Sequence, residues 1–209
     1  MAYDLQEQEQ LAELKAWWDK YGNLVTTVAM VALLGLAAWN GWGWYQRREA
    51  GAAAALYNEL LRARTAHEAA KEKEVTGTLL EQHGGTVFAA LAALQTAKTD
   101  YEGGDAAGSR ALLQWVVDKS GRDDLALIAR VRLAGVQLDE KSYDAALKTL
   151  DVPVPDAHAA AFADRRGDIY AAQGKLDLAR QQWHVALDKS PQGPLHSLVQ
   201  TKLDALTNG

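Results

Sequence analysis

Residues 160–193 read AAFADRRGDIYAAQGKLDLARQQWHVALDKSPQG, and this stretch decides the fold of the C-terminal part of the chain. Gly174 divides it into two segments rich in helix-forming residues, because glycine readily adopts the backbone conformation of a tight turn. Gly167 and Ala179 are small, so two antiparallel helices can approach closely there, and Trp183 fills the space beside them. The stretch therefore predicts a helical hairpin. Three further residues are expected to pack within this hairpin or to end its second helix: Tyr170, Ala186 and Pro191.

The same arrangement of small and large residues recurs in the preceding unit of the chain. Three residues each lie 33 positions before a counterpart in the hairpin: Ala134 before Gly167, Ala146 before Ala179, and Leu150 before Trp183. A third unit, at about 86–119, follows the pattern in a looser register. This spacing is close to the period of about 34 residues of tetratricopeptide helix pairs, and no segment alternates apolar and polar residues as a strand would. We therefore predict an all-α fold with a tetratricopeptide-like solenoid of helical hairpins; an irregular helical bundle is the alternative.

Residues 24–44, LVTTVAMVALLGLAAWNGWGW, form a run of 21 positions without a charged side chain. A helix rises ~1.5 Å per residue, so this run spans roughly 31 Å, close to the ~30 Å hydrocarbon thickness of a bilayer. The sequence therefore predicts a single transmembrane helix. Aromatic side chains favour the level of the lipid headgroups, and we expect those near the two ends of the run to lie there: Trp17, Trp18, Tyr21, Trp39, Trp42, Trp44 and Tyr45.

A core helix of a globular fold and a cleaved signal peptide are the two alternatives for this apolar run. A core helix does not need aromatic residues at both ends, and it is usually shorter. A signal peptide begins with net positive charge, whereas the first 20 residues carry five acids against two lysines. Both observations favour the transmembrane helix.

The transmembrane prediction divides the chain into an amphipathic tail at 1–20, a transmembrane helix at 21–46 and a tetratricopeptide-like soluble domain at 47–209. In the tail, apolar residues at helical spacing predict a helix on the membrane surface or against a partner. Arg47 and Arg48 favour a cytoplasmic domain by the positive-inside rule, while the absence of cysteine is compatible with either compartment. The residues themselves leave the sidedness open.

The composition argues against catalysis and against nucleic-acid binding. The five histidines have no metal-ligand spacing, there is no cysteine, and no phosphate-binding or nucleophile motif occurs. The net charge is −5, of which the first 20 residues contribute −3, so the remaining chain is nearly neutral and lacks the basic surface that nucleic-acid binding requires. We therefore predict no enzymatic activity, no cofactor, no metal and no nucleic-acid partner.

Five strings of residues carry a resemblance to a known family: LKAWW at 14–18, FAALAAL at 88–94, RVRLA at 130–134, DAALKTLD at 144–151 and DRRGD at 164–168. With the order of tail, apolar helix and hairpins, they resemble the YfgM family of ancillary subunits of the bacterial SecYEG translocon. The resemblance implies an inner-membrane protein with its tail in the cytoplasm and its repeat domain in the periplasm. It also implies no catalytic residues, and as partners the SecYEG translocon, the periplasmic chaperone PpiD, and unfolded secretory or outer-membrane proteins as clients.

Stacked helical hairpins form concave surfaces that commonly bind peptide segments. We therefore expect a membrane-tethered scaffold at the translocon. A repeat domain that sequesters a signalling regulator, or that assists the assembly of another envelope complex, is the alternative, and the position of the domain relative to the membrane discriminates the first of these from the scaffold.

Overall fold

The computed structural model describes the backbone of residues 2–207 and the side chains of residues 9–206. Within this part of the chain every regular element is an α-helix, which confirms the predicted all-α fold. The helices are α1 (Ala2–Thr65), α2 (Ala69–Gln82), α3 (Val87–Glu102), α4 (Ala106–Lys119), α5 (Asp123–Asp139), α6 (Tyr143–Thr149), α7 (Asp156–Ala172), α8 (Leu176–Lys189) and α9 (Pro194–Thr207).

The contacts divide the chain into two compact units, of which the first ends at Glu49 and the second begins at Ala50. The first unit contains the only helix of the described residues that is long and apolar enough to cross a membrane, judged by length and composition. Two hydroxyl groups in this helix are satisfied locally: Thr26 donates to the Gly22 carbonyl at 2.8 Å, and Thr27 donates to the Asn23 carbonyl at 2.6 Å. Such bonds suit a helix in an environment without water.

The second unit consists of four helical hairpins and a final helix. The end of α1 pairs with α2, α3 with α4, α5 with α6, and α7 with α8, while α9 packs against α8. The first helices of successive hairpins, α3, α5 and α7, also contact one another. This arrangement is that of a tetratricopeptide-like solenoid, in which each hairpin buries its apolar side against its neighbours.

Each hairpin turns at the same backbone geometry. The first helix ends at a residue with positive φ, and the N–H that follows bonds to the carbonyl five residues earlier, which is the Schellman arrangement. The four residues with positive φ are His67 (58°), Gly104 (86°), Lys141 (59°) and Gly174 (75°). The four hydrogen bonds are Glu68 N–H to Ala63 O (2.9 Å), Asp105 to Asp100 (2.8 Å), Ser142 to Gln137 (2.8 Å) and Lys175 to Tyr170 (2.9 Å). The segment at 50–82, expected from the sequence only to begin with a long helix, is therefore a repeat unit as well.

Lys141 is strained at its turn, because a side chain with a Cβ rarely adopts the left-handed conformation. We expect Lys141→Gly to raise the free energy of unfolding by about 0.5–1 kcal/mol. The gain is measured by thermal or urea unfolding of the full chain in detergent, followed by circular dichroism. The matched control is Glu140→Gly, whose φ of −72° needs no glycine, and this change should lower the stability. A loss of stability for both variants would contradict the assignment of strain to Lys141.

The third hairpin departs from the pattern of the others. Its second helix, α6, contains seven residues, whereas α4 and α8 contain 14 each. The segment 151–155, with prolines at 153 and 155, follows it as an extended connection, because proline lacks the N–H that a helix would need. Pro153 and Pro155 thus shorten the unit at the place where the sequence indicated a break.

Candidate partner-binding groove

The residues predicted to pack the hairpins lie in two clusters of the second unit. Ala134, Ala146 and Leu150 are fully buried and share a cluster with Phe162 and Ile169. The other cluster, between α7, α8 and α9, combines predicted residues with unpredicted ones from α9: Ala179, Trp183 and Ala186 are buried in it with Ala163, Val199 and Leu203, and Tyr170 packs against it. The structure therefore brings these residues together in cores, and none of them lines an open cavity.

Gly167 lies against Trp183 at the closest point between α7 and α8. A Cβ atom at position 167 would lie 2.4 Å from Trp183 Nε1 and 2.5 Å from Cδ1, so only glycine fits. Gly174 forms the turn between the two helices, and Pro191 follows the last residue of α8 and its cap, Ser190.

The aromatic residues predicted for the membrane interface are all exposed along α1. Trp39 has the largest exposed fraction, 80%, and Tyr21 the smallest, 38%. Near each end of the apolar run a cation lies over an aromatic ring: Lys20 Nζ is 5.2 Å from the Tyr21 centroid, and the Arg48 guanidinium is 5.5 Å from the Trp44 centroid. Exposed aromatic side chains beside cations are typical of membrane interfaces, where the assignment remains a prediction.

A cavity of about 430 Å³ lies where α3, α5 and α7 meet, on the side formed by the first helices of successive hairpins. We call it the groove. Apolar side chains and charged side chains both line it: Ala97, Lys98, Tyr101 and Glu102 from α3, Ser109 and Leu113 from α4, Arg132, Gly135, Val136 and Asp139 from α5, and Arg165 from α7. Such a mixed lining suits recognition of a peptide segment.

The acidic side chains of the groove already have partners. Tyr101 donates a hydrogen bond from its hydroxyl to the Asp139 carboxylate, and this bond, together with burial, raises the pKa of Tyr101. Glu102 forms an ion pair with Lys98, one helical turn away, at 3.6 Å. Both carboxylates are thus engaged within the groove.

Arg132 has no carboxylate partner among the described residues. It is half-buried and donates from Nη1 to the Leu94 carbonyl at 3.1 Å. Its burial lowers the pKa of the guanidinium, since removing water disfavours the charged form. Arg132 is therefore a partly desolvated cation that lines a cavity without a counter-ion.

Arg165 occupies the equivalent position of the next hairpin, 33 residues later. Its guanidinium lies over Gly135, where a Cβ would be 3.3 Å from Cζ, so the glycine leaves room for it. Nη1 donates to Asp168 at 3.4 Å, while the buried Nε–H has no hydrogen-bond partner. One donor of this fork is thus unsatisfied.

The sequence placed Arg132 and Arg165 in two of the strings that carry the family resemblance, but it did not single them out as site residues. The signal that could have found them is their spacing of 33 positions, which is that of the packing residues beside them. The described residues contain no group of three or more metal-ligating side chains, and the groove has neither a nucleophile nor a base oriented toward one. Its chemistry is recognition by hydrogen bonds, ion pairs and apolar contact.

Comparisons with known proteins extend over nearly the whole chain. The family model of the tetratricopeptide repeat-like domain matches residues 15–208. A protein of Neisseria gonorrhoeae named ancillary SecYEG translocon subunit is 32% identical over 211 residues, covering 99% of this chain and 100% of that protein. Proteins of the same name from Haemophilus influenzae and Escherichia coli are 27% and 25% identical, over 92% and 96% of this chain and 94% and 97% of their own lengths. No solved structure matches the chain.

Proposed function

This chain belongs to the tetratricopeptide repeat-like YfgM family, whose relatives are named ancillary SecYEG translocon subunits, and from this membership we propose that it is a Sec-associated repeat scaffold. The observation that carries the proposal is the match across residues 15–208, which includes the apolar helix as well as all four hairpins. The family is a non-catalytic class, and the proposed activity is binding.

In the proposed mechanism the apolar part of α1 crosses the inner membrane once and packs beside the translocon. The four hairpins hold a second protein in the groove, either the chaperone PpiD or an emerging secretory chain. Tethering both partners at one membrane site raises their effective concentration, to the millimolar range for short connections, so a weak contact in the groove suffices.

We further propose that the tail at 1–20 lies in the cytoplasm and the soluble domain, predicted to begin at 47, lies in the periplasm. Arg47 and Arg48 oppose this orientation by the positive-inside rule, but long domains translocate largely regardless of flanking charge. Lys15 and Lys20 flank the other end and favour it.

Cysteine labelling tests this orientation, because the chain has no cysteine of its own. Ser142→Cys introduces a thiol at an exposed turn of the second unit, and Ala12→Cys introduces one at an exposed position of the tail. We expect a membrane-impermeant maleimide to label Ser142→Cys in intact spheroplasts and to label Ala12→Cys only after lysis. The reverse pattern would mean that Arg47 and Arg48 determine the orientation, and it would favour the sequestration of a cytoplasmic regulator.

Co-purification from the native inner membrane distinguishes the remaining alternative. The full chain, solubilised in mild detergent, is expected to recover SecY and PpiD, detected by specific antibodies. Recovery of a different envelope complex without SecY would favour the role in the assembly of that complex and would reject the translocon scaffold.

A further inference from the structure

The groove contains cations that its own residues do not neutralise. Charged groups removed from water are costly unless a partner compensates them, and a guanidinium that lines a cavity without a counter-ion is therefore poised to bind an anion. Arg132 is in this state, because its printed hydrogen bond goes to a neutral carbonyl and the nearby acids are held by other residues. The unpaired charge is the first step toward the identity of the ligand.

A second cation can reach the same position. Arg132 and Arg165 occupy equivalent places on α5 and α7, which contact each other, and both side chains line the groove. Packed helices lie about 8–10 Å apart, so two arginine side chains from facing positions can converge on one anion. The unsatisfied Nε–H of Arg165 supplies a donor that a small rotation off Gly135 would turn toward the ligand.

We propose that the groove binds its partner through an aspartate or glutamate side chain of an extended peptide segment, whose carboxylate Arg132 and Arg165 hold while a neighbouring apolar side chain packs against Tyr101, Leu113 and Val136. This inference rests on the proposed function, since it names the chemistry by which the scaffold's groove recognises a protein. The planar fork of arginine matches a carboxylate and forms charge-assisted hydrogen bonds with it.

The other charges of the groove limit the ligand to a single carboxylate. Glu102 and Asp139 line the same cavity, and they would repel a polyanion such as a nucleic acid or a cluster of phosphates. The apolar walls add the second half of the recognition, because Leu113 and Val136 are buried at the floor while Tyr101 is 45% exposed at the rim. An acidic residue beside an apolar one therefore fits both parts of the lining.

The test uses the full chain in dodecyl maltoside and a library of short peptides of random sequence. The peptides are acetylated and amidated at their ends, so that side chains are the only source of carboxylate. We expect the bound fraction to be enriched in sequences that place an aspartate or glutamate next to an apolar residue. Replacing that acid by its amide in a selected peptide should weaken binding about tenfold or more, because a hydrogen bond to a charged group is lost.

The protein variants are Arg132→Gln and Arg165→Gln, each of which should abolish the preference for the acid over the amide. The matched control is Arg180→Gln, which removes the same charge from α8, where the arginine pairs with Asp177 outside the groove. Arg132→Lys provides a second variant if the glutamine destabilises α5, and it should retain part of the preference because the charge remains. Circular dichroism verifies that each variant is folded.

Three results would overturn the inference, and they separate it from the function on which it rests. Equal binding of acid and amide peptides by the unaltered chain would reject the carboxylate but leave a peptide-binding scaffold. An acid preference that Arg132→Gln and Arg165→Gln retain would place the carboxylate elsewhere on the chain. Failure to select any peptide would reject the groove as a peptide site; if SecY still co-purified, the association with the translocon would stand, and if it did not, both proposals would fall.

Discussion

Gly167→Ala is expected to lower the free energy of unfolding of the second unit by about 3 kcal/mol, because overpacking of a closed core strains side chains and backbone. The new methyl group would lie 2.4 Å from Trp183 Nε1, far inside van der Waals contact. Trp183 cannot move away, since it is 4% exposed and packs against α9 through Val199 and Leu203. Urea unfolding of the full chain in detergent, followed by circular dichroism, measures the loss.

Gly77→Ala is the matched control for this substitution. Gly77 also lies within a helix, but a Cβ at this position would meet no atom within 4 Å. Alanine should therefore stabilise the chain by about 0.5–1 kcal/mol, since it has the higher helix propensity. If Gly167→Ala were as harmless as Gly77→Ala, the close approach of α7 to α8 would not be a constraint.

A second change at Trp183 tests the mechanism of the loss. Trp183→Phe removes the Nε1 atom that the new methyl group would meet, and this nitrogen has no hydrogen-bond partner to sacrifice. The double variant should therefore be more stable than the sum of the two single losses indicates, with a coupling of about 1 kcal/mol or more. Strict additivity would mean that the two positions do not share the same space.

Lys202→Met is expected to lower the free energy of unfolding by about 2–3 kcal/mol, because it leaves two partly buried carboxylates without their cation. Lys202 Nζ lies 2.6 Å from Asp164 and 2.6 Å from Asp168, and it also lies 5.8 Å from the centroid of the Trp183 ring. These contacts attach α9 to α7. Thermal unfolding measures the total loss, and hydrogen exchange should show it first in α9.

The loss caused by Lys202→Met should depend on pH with a defined sign. Burial raises the pKa of Asp164 above its ordinary value of 3.8, so the folded state binds this proton more tightly than the unfolded state does. Protonation therefore favours folding as the pH falls through the folded pKa toward the ordinary value. Without Lys202 the pKa rises further, and the deficit of the variant should shrink between neutral pH and about pH 4.

Lys189→Met provides the matched control for Lys202→Met. Lys189 also pairs with an aspartate at 2.7 Å, but Asp156 is 88% exposed and the lysine 44%. Exposed pairs contribute about 0–1 kcal/mol, so this variant should unfold almost like the unaltered chain. Equal losses for the two lysines would show that burial is not what makes the Lys202 contacts matter.

Much of the hairpin packing could be predicted from the sequence, because a small residue opposite a large one is a local signal. Gly167 and Trp183 are an example: their spacing indicates a close helix pair, and the structure places them in contact. The turns at His67 and Lys141 could not be predicted in this way, since neither residue is glycine and a left-handed conformation leaves no signal in such a residue. The first hairpin was missed for this reason.

The groove was beyond sequence reasoning for a different physical cause. Whether an arginine is unpaired depends on which acids lie near it in space, and the partners of Asp139 and Glu102 come from folding, not from composition. Arg132 and Arg165 look like ordinary surface cations in the sequence, and only their burial and their shared cavity distinguish them. The role of α9 as the cation-bearing end of the solenoid was hidden similarly, because Lys202 lies more than 30 residues from Asp164 and Asp168.

The lysine that joins α9 to α7 also sets an order of events during synthesis. Each hairpin of a repeat protein contacts mainly its neighbours, so the early hairpins can form as soon as their residues are available, and N-terminal parts fold first as the chain emerges. Asp164 and Asp168, however, wait for Lys202, which is among the last residues made. We therefore expect the nascent chain to retain a loosened C-terminal hairpin until synthesis is nearly complete, so that truncation just before α9 affects the last repeat far more than the first.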